Sequence, residues 1–177
     1  MKISTLALLL AAFVAPLPAA ALELSSPDVA EAAAVPAAHV LDGFGCSGGN
    51  RSPALAWSGA PEGTKSFALT LYDPDAPTGS GFWHWVVIDL PASATGLPVG
   101  PAALPPGARV MRSDFGTTAY GGPCPPPGAG MHRYVFTLRA LDVERLEILD
   151  DASPAIVGFV AKAHTLAEAR ITAVLHR

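Results

Sequence analysis

The segment from residue 69 to residue 90, LTLYDPDAPTGSGFWHWVVIDL, constrains the fold most strongly, because it predicts a strand, a tight polar turn and a second strand. Phe67, Leu69 and Leu71 alternate along the chain, so they share one face of the first strand. Asp73 is the next residue in that phase. The pattern therefore brings a carboxylate to the end of an apolar strand face, where it needs a polar partner.

The turn after this strand is set by two prolines. The run Asp-Pro-Asp-Ala-Pro at 73–77 cannot continue a hydrogen-bonded strand, because proline lacks a backbone N–H group. The Ala76–Pro77 bond is a candidate for the cis form, which occurs mainly before proline in tight turns. We expect the chain to re-enter a strand at Phe82.

The second strand has two apolar faces. Alternation predicts that one face carries Phe82, His84, Val86 and Ile88. The other face carries Trp83, Trp85 and Val87. Two apolar faces predict a strand that is covered on both sides. His84 lies in the middle of this strand, in phase with core residues.

The first 21 residues predict a secretory signal peptide. Lys2 supplies a positive charge, residues 3–14 are apolar, and the small residues 19–21 offer a cleavage site. The apolar run is too short to span a membrane, and no second long apolar run follows. We therefore expect a periplasmic or secreted protein with a single domain over residues 22–177.

Composition narrows the fold class and the partners. The formal net charge of −4, without a Lys/Arg cluster, argues against nucleic acid and against a basic membrane-binding patch. The 17 glycines and 18 prolines predict a loop-rich, mainly β protein. Further strands are predicted at 22–26, 52–58, 131–141 and 168–176, with surface loops at 91–112 and 113–130. A helix at 155–163 follows an N-cap at Ser153.

The two cysteines, Cys46 and Cys124, lie in glycine-rich loops. In an oxidising compartment an even pair of cysteines favours a disulfide. The alternative is a pair of buried free thiols.

One kind of residue recurs beside the Gly/Pro-rich loops, namely a polar side chain in or at the end of an apolar strand. The set is Asp73, His84, His132 and Tyr134. Imidazoles and a carboxylate inside an apolar pocket can trap an anion or a zwitterion. The backbone N–H groups of Gly121 and Gly122 are candidate additional donors, because glycine lets the backbone approach a ligand closely.

These motifs, DPDAP, WHWVV, YGGPCPPPG and HRYVF in this order, resemble the phosphatidylethanolamine-binding protein family, and most closely its bacterial Raf-kinase-inhibitor-like branch. The resemblance covers about residue 43 to the C-terminus. It implies a β-sandwich with a large central sheet and one or two C-terminal helices. It also implies a pocket for phosphate, acetate-like anions or phosphoethanolamine head groups.

The resemblance assigns roles residue by residue. Asp73 and Asp75 match the aspartates of the first motif, Pro77 matches its cis-proline, and His84 matches the pocket histidine of the following strand. The remaining matches are His132 and Tyr134 in the HRY motif and the pocket rim formed by Tyr120, Gly121, Gly122 and Pro123. The chain departs from the animal proteins through its export signal and its cysteine-bearing rim, so a cytosolic kinase partner does not carry over.

Three functions are consistent with these residues. We expect first a non-enzymatic binding protein for a small anionic or zwitterionic ligand, such as phosphate or a phospholipid head group. The second is an inhibitor or modulator of a protein partner, supported by the proline loop at 123–127. The third is a phosphoester hydrolase with His132 as acid and base.

Other chemistry has less support. Asp73, Asp75, His84 and His132 are also metal-ligand types, but their spacing fits no tight metal signature. Cys124 beside His132 would make a thiol nucleophile, which a disulfide forbids. The chain has no nucleophile elbow, phosphate loop or dinucleotide fingerprint, so we expect no cofactor and no catalytic residue.

Overall fold

Antiparallel strands dominate the computed structural model, which describes residues 21–100 and 104–177. The strands are β1 (Glu23–Ser25), β2 (Asp42–Gly43), β3 (Cys46–Ser47), β4 (Leu55–Ser58), β5 (Ser66–Asp73), β6 (Phe82–Pro91), β7 (Gly96–Leu97), β8 (Arg109–Val110), β9 (His132–Leu141) and β10 (Thr165–Leu175). The helix α1 spans Pro154–Ala163, and a short 3-10 turn spans Ala37–His39. The predicted signal peptide lies outside the described residues except for its last position.

Five strands form the central sheet, in the order β10-β9-β5-β6-β8. Each neighbouring pair in it is antiparallel. The other strands form a three-stranded sheet, β1-β4-β7, and a small hairpin, β2-β3. This arrangement confirms the mainly β prediction. The short strands β7 and β8 lie in the segment 91–112, which was predicted as loop.

The three-stranded sheet packs on one face of the central sheet. Trp57 of β4 meets Phe67 of β5 there, with ring centroids 5.5 Å apart. Leu69 and Leu71 are buried in the same apolar cluster, whereas Ala68 belongs to the cluster on the opposite face. The alternation predicted for β5 is therefore confirmed.

Helix α1 covers the other face of the central sheet. The Ser153 hydroxyl accepts a hydrogen bond from the Ile156 N–H at 3.4 Å, and a proline occupies the first turn, so the predicted N-cap is confirmed. Val157 and Ala161 are buried against Val86 of β6. Strand β6 is thus covered on both sides, as its two apolar faces predicted.

A β-bulge in β6 interrupts its alternation. Two consecutive residues of β5, Leu71 and Tyr72, pair with Trp85 and Trp83, which leaves His84 without a partner on β5. An extra residue of this kind bends the strand and changes the direction of the side chains around it.

The bulge makes both predicted faces of β6 wrong. His84 does not share a face with Val86, and Trp83 packs with the cluster under α1 whereas Trp85 belongs to the opposite cluster. Val86 is buried under α1, whereas the His84 ring packs against Tyr134 on the opposite face, with ring centroids 5.3 Å apart. Phe82 stays with His84, at a centroid distance of 5.2 Å. Strict alternation would have buried His84 under the helix. The bulge instead points the His84 side chain away from α1, towards Tyr134.

The turn after β5 contains no cis peptide bond, so the predicted cis Ala76–Pro77 bond is wrong. Two local hydrogen bonds close the turn in the trans form. The Asp75 N–H donates to Asp73 Oδ1 at 2.9 Å, and the Thr78 N–H donates to the Ala76 carbonyl at 2.8 Å. The second bond closes a three-residue turn centred on Pro77, and the fixed φ of proline suits such a turn.

The two cysteines form a disulfide, as the sequence predicted. Cys46 lies in β3, and Cys124 lies in the loop before β9. They are 78 residues apart along the chain, so the bond ties the N-terminal glycine loop to the loop that precedes the HRY motif.

Candidate functional site

A cavity of about 220 Å³ opens where the turn after β5, the start of β6 and the start of β9 come together. Its titratable lining includes the four residues singled out from the sequence: Asp73, His84, His132 and Tyr134. All four are buried, with exposed fractions between 0% and 4%. The folded chain therefore brings the predicted polar set together.

Asp73 orients His132. The His132 Nδ1 atom lies 2.7 Å from Asp73 Oδ2, and the other carboxylate oxygen accepts the Asp75 N–H. A carboxylate accepts hydrogen bonds, so Nδ1 carries a proton. The other nitrogen, Nε2, has no hydrogen-bond partner among the described residues and remains for a ligand.

His84 is a neutral imidazole in this site. Its Nδ1 atom lies 2.9 Å from the Gly121 carbonyl, which fixes the proton on Nδ1 and leaves a lone pair on Nε2. Burial lowers the pKa of His84, and the Gly121 hydrogen bond and the charge of Asp73 only partly oppose this. In the free protein, Nε2 is therefore an acceptor.

Tyr134 supplies a buried donor. Its hydroxyl is buried and has no hydrogen-bond partner of ordinary geometry among the described residues. Burial first, and then the negative charge of Asp73, raise the pKa of Tyr134 far above its ordinary value, so the hydroxyl stays protonated. Leaving a buried donor unpaired costs about 1–3 kcal/mol, which an acceptor bound in the cavity would offset.

Aromatic rings form the apolar wall of the cavity. Phe115 packs edge-on against Phe82 and His84, at centroid distances of 4.8 and 5.4 Å. Phe44 stacks on Phe115 at 6.1 Å and is 77% exposed. Such a wall shelters the polar groups from water and strengthens any hydrogen bond made inside.

Two further predicted residues lie in the turn beside the cavity. Pro77 lines it. The Asp75 carboxylate does not, because it binds Arg133 Nε at 2.8 Å, Nη2 at 2.7 Å and the Arg133 N–H at 2.9 Å. The hydrogen bond from the Arg133 side chain lowers the pKa of Asp75 to about 2. Asp75 therefore fastens the turn to β9.

The predicted rim residues lie beside the cavity rather than on its lining. The Tyr120 hydroxyl donates to the His39 carbonyl at 2.9 Å. Pro123 is buried, and its carbonyl accepts a hydrogen bond from the Leu41 N–H at 3.0 Å. Both residues hold the loop 113–130 in place.

The prediction that Gly121 and Gly122 offer N–H donors to a ligand does not fit the structure. The Gly121 N–H donates to the His84 carbonyl at 3.1 Å, and the Gly122 N–H donates to Asn50 Oδ1 at 2.8 Å. A Cβ on Gly121 would lie 2.2 Å from Phe115 Cε2. Glycine is needed here for close packing within the protein.

Several cavity residues were not predicted as part of the pocket. They are Leu41, Phe44, Ala76, Thr78, Phe115, Cys124, Pro125 and Pro126. They come from loops that meet only in the fold. Phe82 was the exception, because it was already expected on the same face as His84.

The described residues bear on metal binding, membrane insertion and thiol chemistry. No group of three His, Cys, Asp or Glu side chains in residues 21–100 and 104–177 is placed to hold a metal ion. In the same part of the chain, no helix has the length and apolar character needed to cross a membrane. The Cys124 sulfur is bonded to Cys46, so it does not form the thiol nucleophile considered from the sequence.

Fold and cavity together define a β-sandwich with a sheltered polar pocket at one end of its central sheet. The chain belongs to the phosphatidylethanolamine-binding protein family, whose model matches residues 25–176. This confirms the resemblance noted in the sequence.

The relatives extend over most of the chain. The UPF0098 protein YbcL of Escherichia coli is 48% identical over 161 residues, which is 88% of each chain. The UPF0098 protein YbhB of the same organism is 50% identical over 157 residues, covering 86% of this chain and 99% of the relative. The crystal structure of E. coli YbcL, a new member of the mammalian PEBP family, matches with a TM-score of 0.86 at 47% identity, covering 89% of this chain and 99% of that one.

Proposed function

We propose that this chain is a non-enzymatic binding protein whose cavity takes a small oxyanion, either inorganic phosphate or the phosphate of a lipid head group such as phosphoethanolamine. The observation that carries the proposal is the buried Tyr134 hydroxyl, which is a protonated donor near Asp73 but makes no hydrogen bond of ordinary geometry in the described structure. It lines a cavity of about 220 Å³ together with two histidines whose Nε2 atoms are unpartnered there. An oxyanion offers several acceptors to the Tyr134 hydroxyl and to each imidazole whose Nε2 atom is protonated.

Charge balance sets a condition on this binding. Asp73 already carries a negative charge beside His132. A second negative group in the cavity is favourable when one or both imidazoles are protonated, because like charges in a sheltered site repel strongly. Anion binding is therefore expected to be coupled to proton uptake.

The proposal includes export. The predicted signal peptide at residues 1–21 and the disulfide both favour an oxidising compartment. A relative named putative lipoprotein LppC, from Mycobacterium tuberculosis, is 38% identical over 129 residues, covering 72% of this chain and 60% of its own length. Cell fractionation with N-terminal sequencing tests this: we expect an envelope or secreted protein starting at Leu22, and an intact N-terminus would refute it.

The alternative, modulation of a protein partner, ranks second. Of the proline loop at 123–127 that suggested it, Pro123 and Pro125 are buried and Pro125 lines the cavity. Only Pro126 and Pro127 are exposed for docking. Hydrolysis ranks third. It requires turnover of phosphoesters by the wild-type protein, which an assay with and without divalent metals measures directly.

Tyr134→Phe tests the pocket. The substitution removes only the hydroxyl, so we expect binding of phosphate and phosphoethanolamine to weaken by about tenfold or more, the usual effect of losing a hydrogen bond to a charged group. Isothermal titration calorimetry and imidazole NMR shifts of His84 and His132 measure the change.

Tyr120→Phe is the matched control. Its hydroxyl is engaged with His39 outside the cavity lining, so this variant should lose some stability but keep the wild-type affinity. Equal affinity of wild type and Tyr134→Phe, or no response of either histidine to millimolar phosphate, would refute the anion pocket. Ethanolamine alone separates the contribution of the ammonium group from that of the phosphate.

A further inference from the structure

The disulfide stands between two cavities. Cys124 lines the ligand cavity described above. Cys46 lines a second cavity of about 280 Å³, together with His176 and Arg177. We call this second space the rear cleft. Both cysteines are half-buried, so each side of the bond is accessible from a different space.

The Arg177 guanidinium contacts both sulfurs. Its Nη1 atom lies 3.0 Å from Cys46 Sγ and 3.2 Å from Cys124 Sγ. The same nitrogen donates to the Phe44 carbonyl at 3.3 Å, and the Gly128 N–H donates to the backbone oxygen of Arg177 at 2.9 Å. Arg177 is thus held at both its side chain and its backbone.

A cation at this position stabilises a thiolate far more than it stabilises a neutral disulfide. In thiol–disulfide exchange, the departing sulfur leaves as a thiolate, and stabilising it speeds the exchange. The contact from Arg177 therefore acts on the reduced and exchanging states of the bond.

We propose that Cys46–Cys124 is a thiol-exchange site, which a small anionic thiol of the glutathione class enters through the rear cleft. The incoming thiolate attacks Cys46 Sγ. A bond forms between the thiol and Cys46, the Cys46–Cys124 bond breaks, and Cys124 leaves as a thiolate beside Arg177. A second thiol then attacks the mixed disulfide, which releases the oxidised thiol and a protein dithiol.

Exchange would loosen the wall of the ligand cavity. Pro125 and Pro126 follow Cys124 directly and line that cavity, and Phe44 lies two residues before Cys46 on its other side. Opening the bond lets these two walls move apart. This consequence rests on the proposed binding function, whereas the exchange chemistry does not.

The rate of exchange tests the role of Arg177. With reduced glutathione and the intact folded protein, Arg177→Gln should slow formation of the mixed disulfide by about three- to tenfold, because the leaving thiolate loses its cation. Arg177→Lys should retain most of the rate. Lys162→Gln, which removes an exposed charge at the end of α1, is the control and should match wild type. Unchanged kinetics in Arg177→Gln would overturn the proposal.

The position of the adduct tests the direction of attack. After acid quenching and alkylation, peptide mass spectrometry should find glutathione on Cys46 and the alkyl group on Cys124. The reverse distribution would overturn entry through the rear cleft. Neither the exchange rate nor the adduct position depends on a ligand in the cavity. Both tests of the exchange site therefore stand even if the protein does not bind phosphate. Where phosphate does bind, the reduced protein should bind it more weakly, and equal affinity would overturn the coupling.

Discussion

At the scale of single residues, the cavity combines one neutral imidazole, one imidazole held by a carboxylate and one protonated phenol. Each state has a local cause. Burial keeps His84 neutral, Asp73 fixes the proton on His132 Nδ1, and burial keeps Tyr134 protonated. In its free state the site therefore offers the Tyr134 hydroxyl as a donor and His84 Nε2 as an acceptor. Protonation of His84 would make this Nε2 a donor.

The lowered pKa of His84 predicts how anion binding depends on pH. In the free protein the neutral form is favoured, so His84 binds no proton near neutral pH. An anion beside Nε2 favours the imidazolium and raises the pKa in the complex, so binding takes up a proton. Affinity for an anion must then rise as the pH falls, until the free protein is itself protonated at His84.

Sulfate is the probe for this prediction, because its charge is constant over the range. The affinity for sulfate should increase as the pH falls from about 8 to about 6. Uptake of one proton limits this increase to about tenfold per pH unit. Calorimetry in buffers of different ionisation enthalpy gives the proton count. His84→Gln should flatten the dependence. A sulfate affinity that is constant or falls on acidification would contradict the assignment.

At the scale of elements, two irregular features position His84. The bulge in β6 turns its ring into the cavity, and the loop at 113–130 fixes the ring through the Gly121 carbonyl. The same loop contributes Phe115 to the wall. A long glycine-rich loop thus builds one side of a site whose other side comes from the ends of β5, β6 and β9.

Gly121→Ala should disrupt this arrangement. The added Cβ would lie 2.2 Å from Phe115 Cε2, so either the ring or the loop has to move. We expect a loss of about 1–3 kcal/mol in the free energy of unfolding, as for other overpacked sites. The His84 ring NMR signals should shift because its hydrogen bond to residue 121 is displaced. Chemical denaturation and NMR measure both effects.

Gly158→Ala in α1 provides the comparison. Its Cβ would meet Trp83 at an ordinary 3.6 Å, and alanine favours a helix interior over glycine by about 0.5–1 kcal/mol. This variant should gain stability and leave the His84 signals unchanged. If Gly121→Ala were as stable as wild type with unchanged His84 signals, the positioning role of the loop would be wrong.

At the scale of the whole molecule, two apolar clusters lie on opposite faces of the central sheet and hold the sandwich together. Neither cluster includes a cysteine. The disulfide lies outside both clusters, between β3 and the loop before β9. The fold should therefore persist without it, while the loops around the cavity lose a constraint.

The double variant Cys46→Ser with Cys124→Ser tests this division. Removing the 78-residue crosslink should lower the free energy of unfolding by about 2–5 kcal/mol, mainly by freeing the unfolded chain. The far-ultraviolet circular dichroism spectrum should remain that of the wild type. Unfolding monitored by denaturant gives the difference against the oxidised protein. A variant that is unfolded in buffer would show that the clusters alone do not sustain the sandwich.

Local sequence determined much of this protein. The alternation of Phe67, Leu69 and Leu71 defined β5 and delivered Asp73 to its end, because side chains in a strand alternate strictly between faces. Ser153 and the proline after it defined the start of α1. The motifs around Asp73, His84 and the HRY strand identified the family and the four polar residues of the cavity.

Only the tertiary structure decided how those residues are used. The bulge at His84 depends on pairing between β5 and β6, which no local pattern encodes. Asp75 is engaged by Arg133, and the N–H groups of Gly121 and Gly122 by other parts of the chain, because these partners are distant in sequence. Periodicity reports which face a residue occupies, whereas hydrogen-bond partners and cavity walls arise from contacts between separated segments.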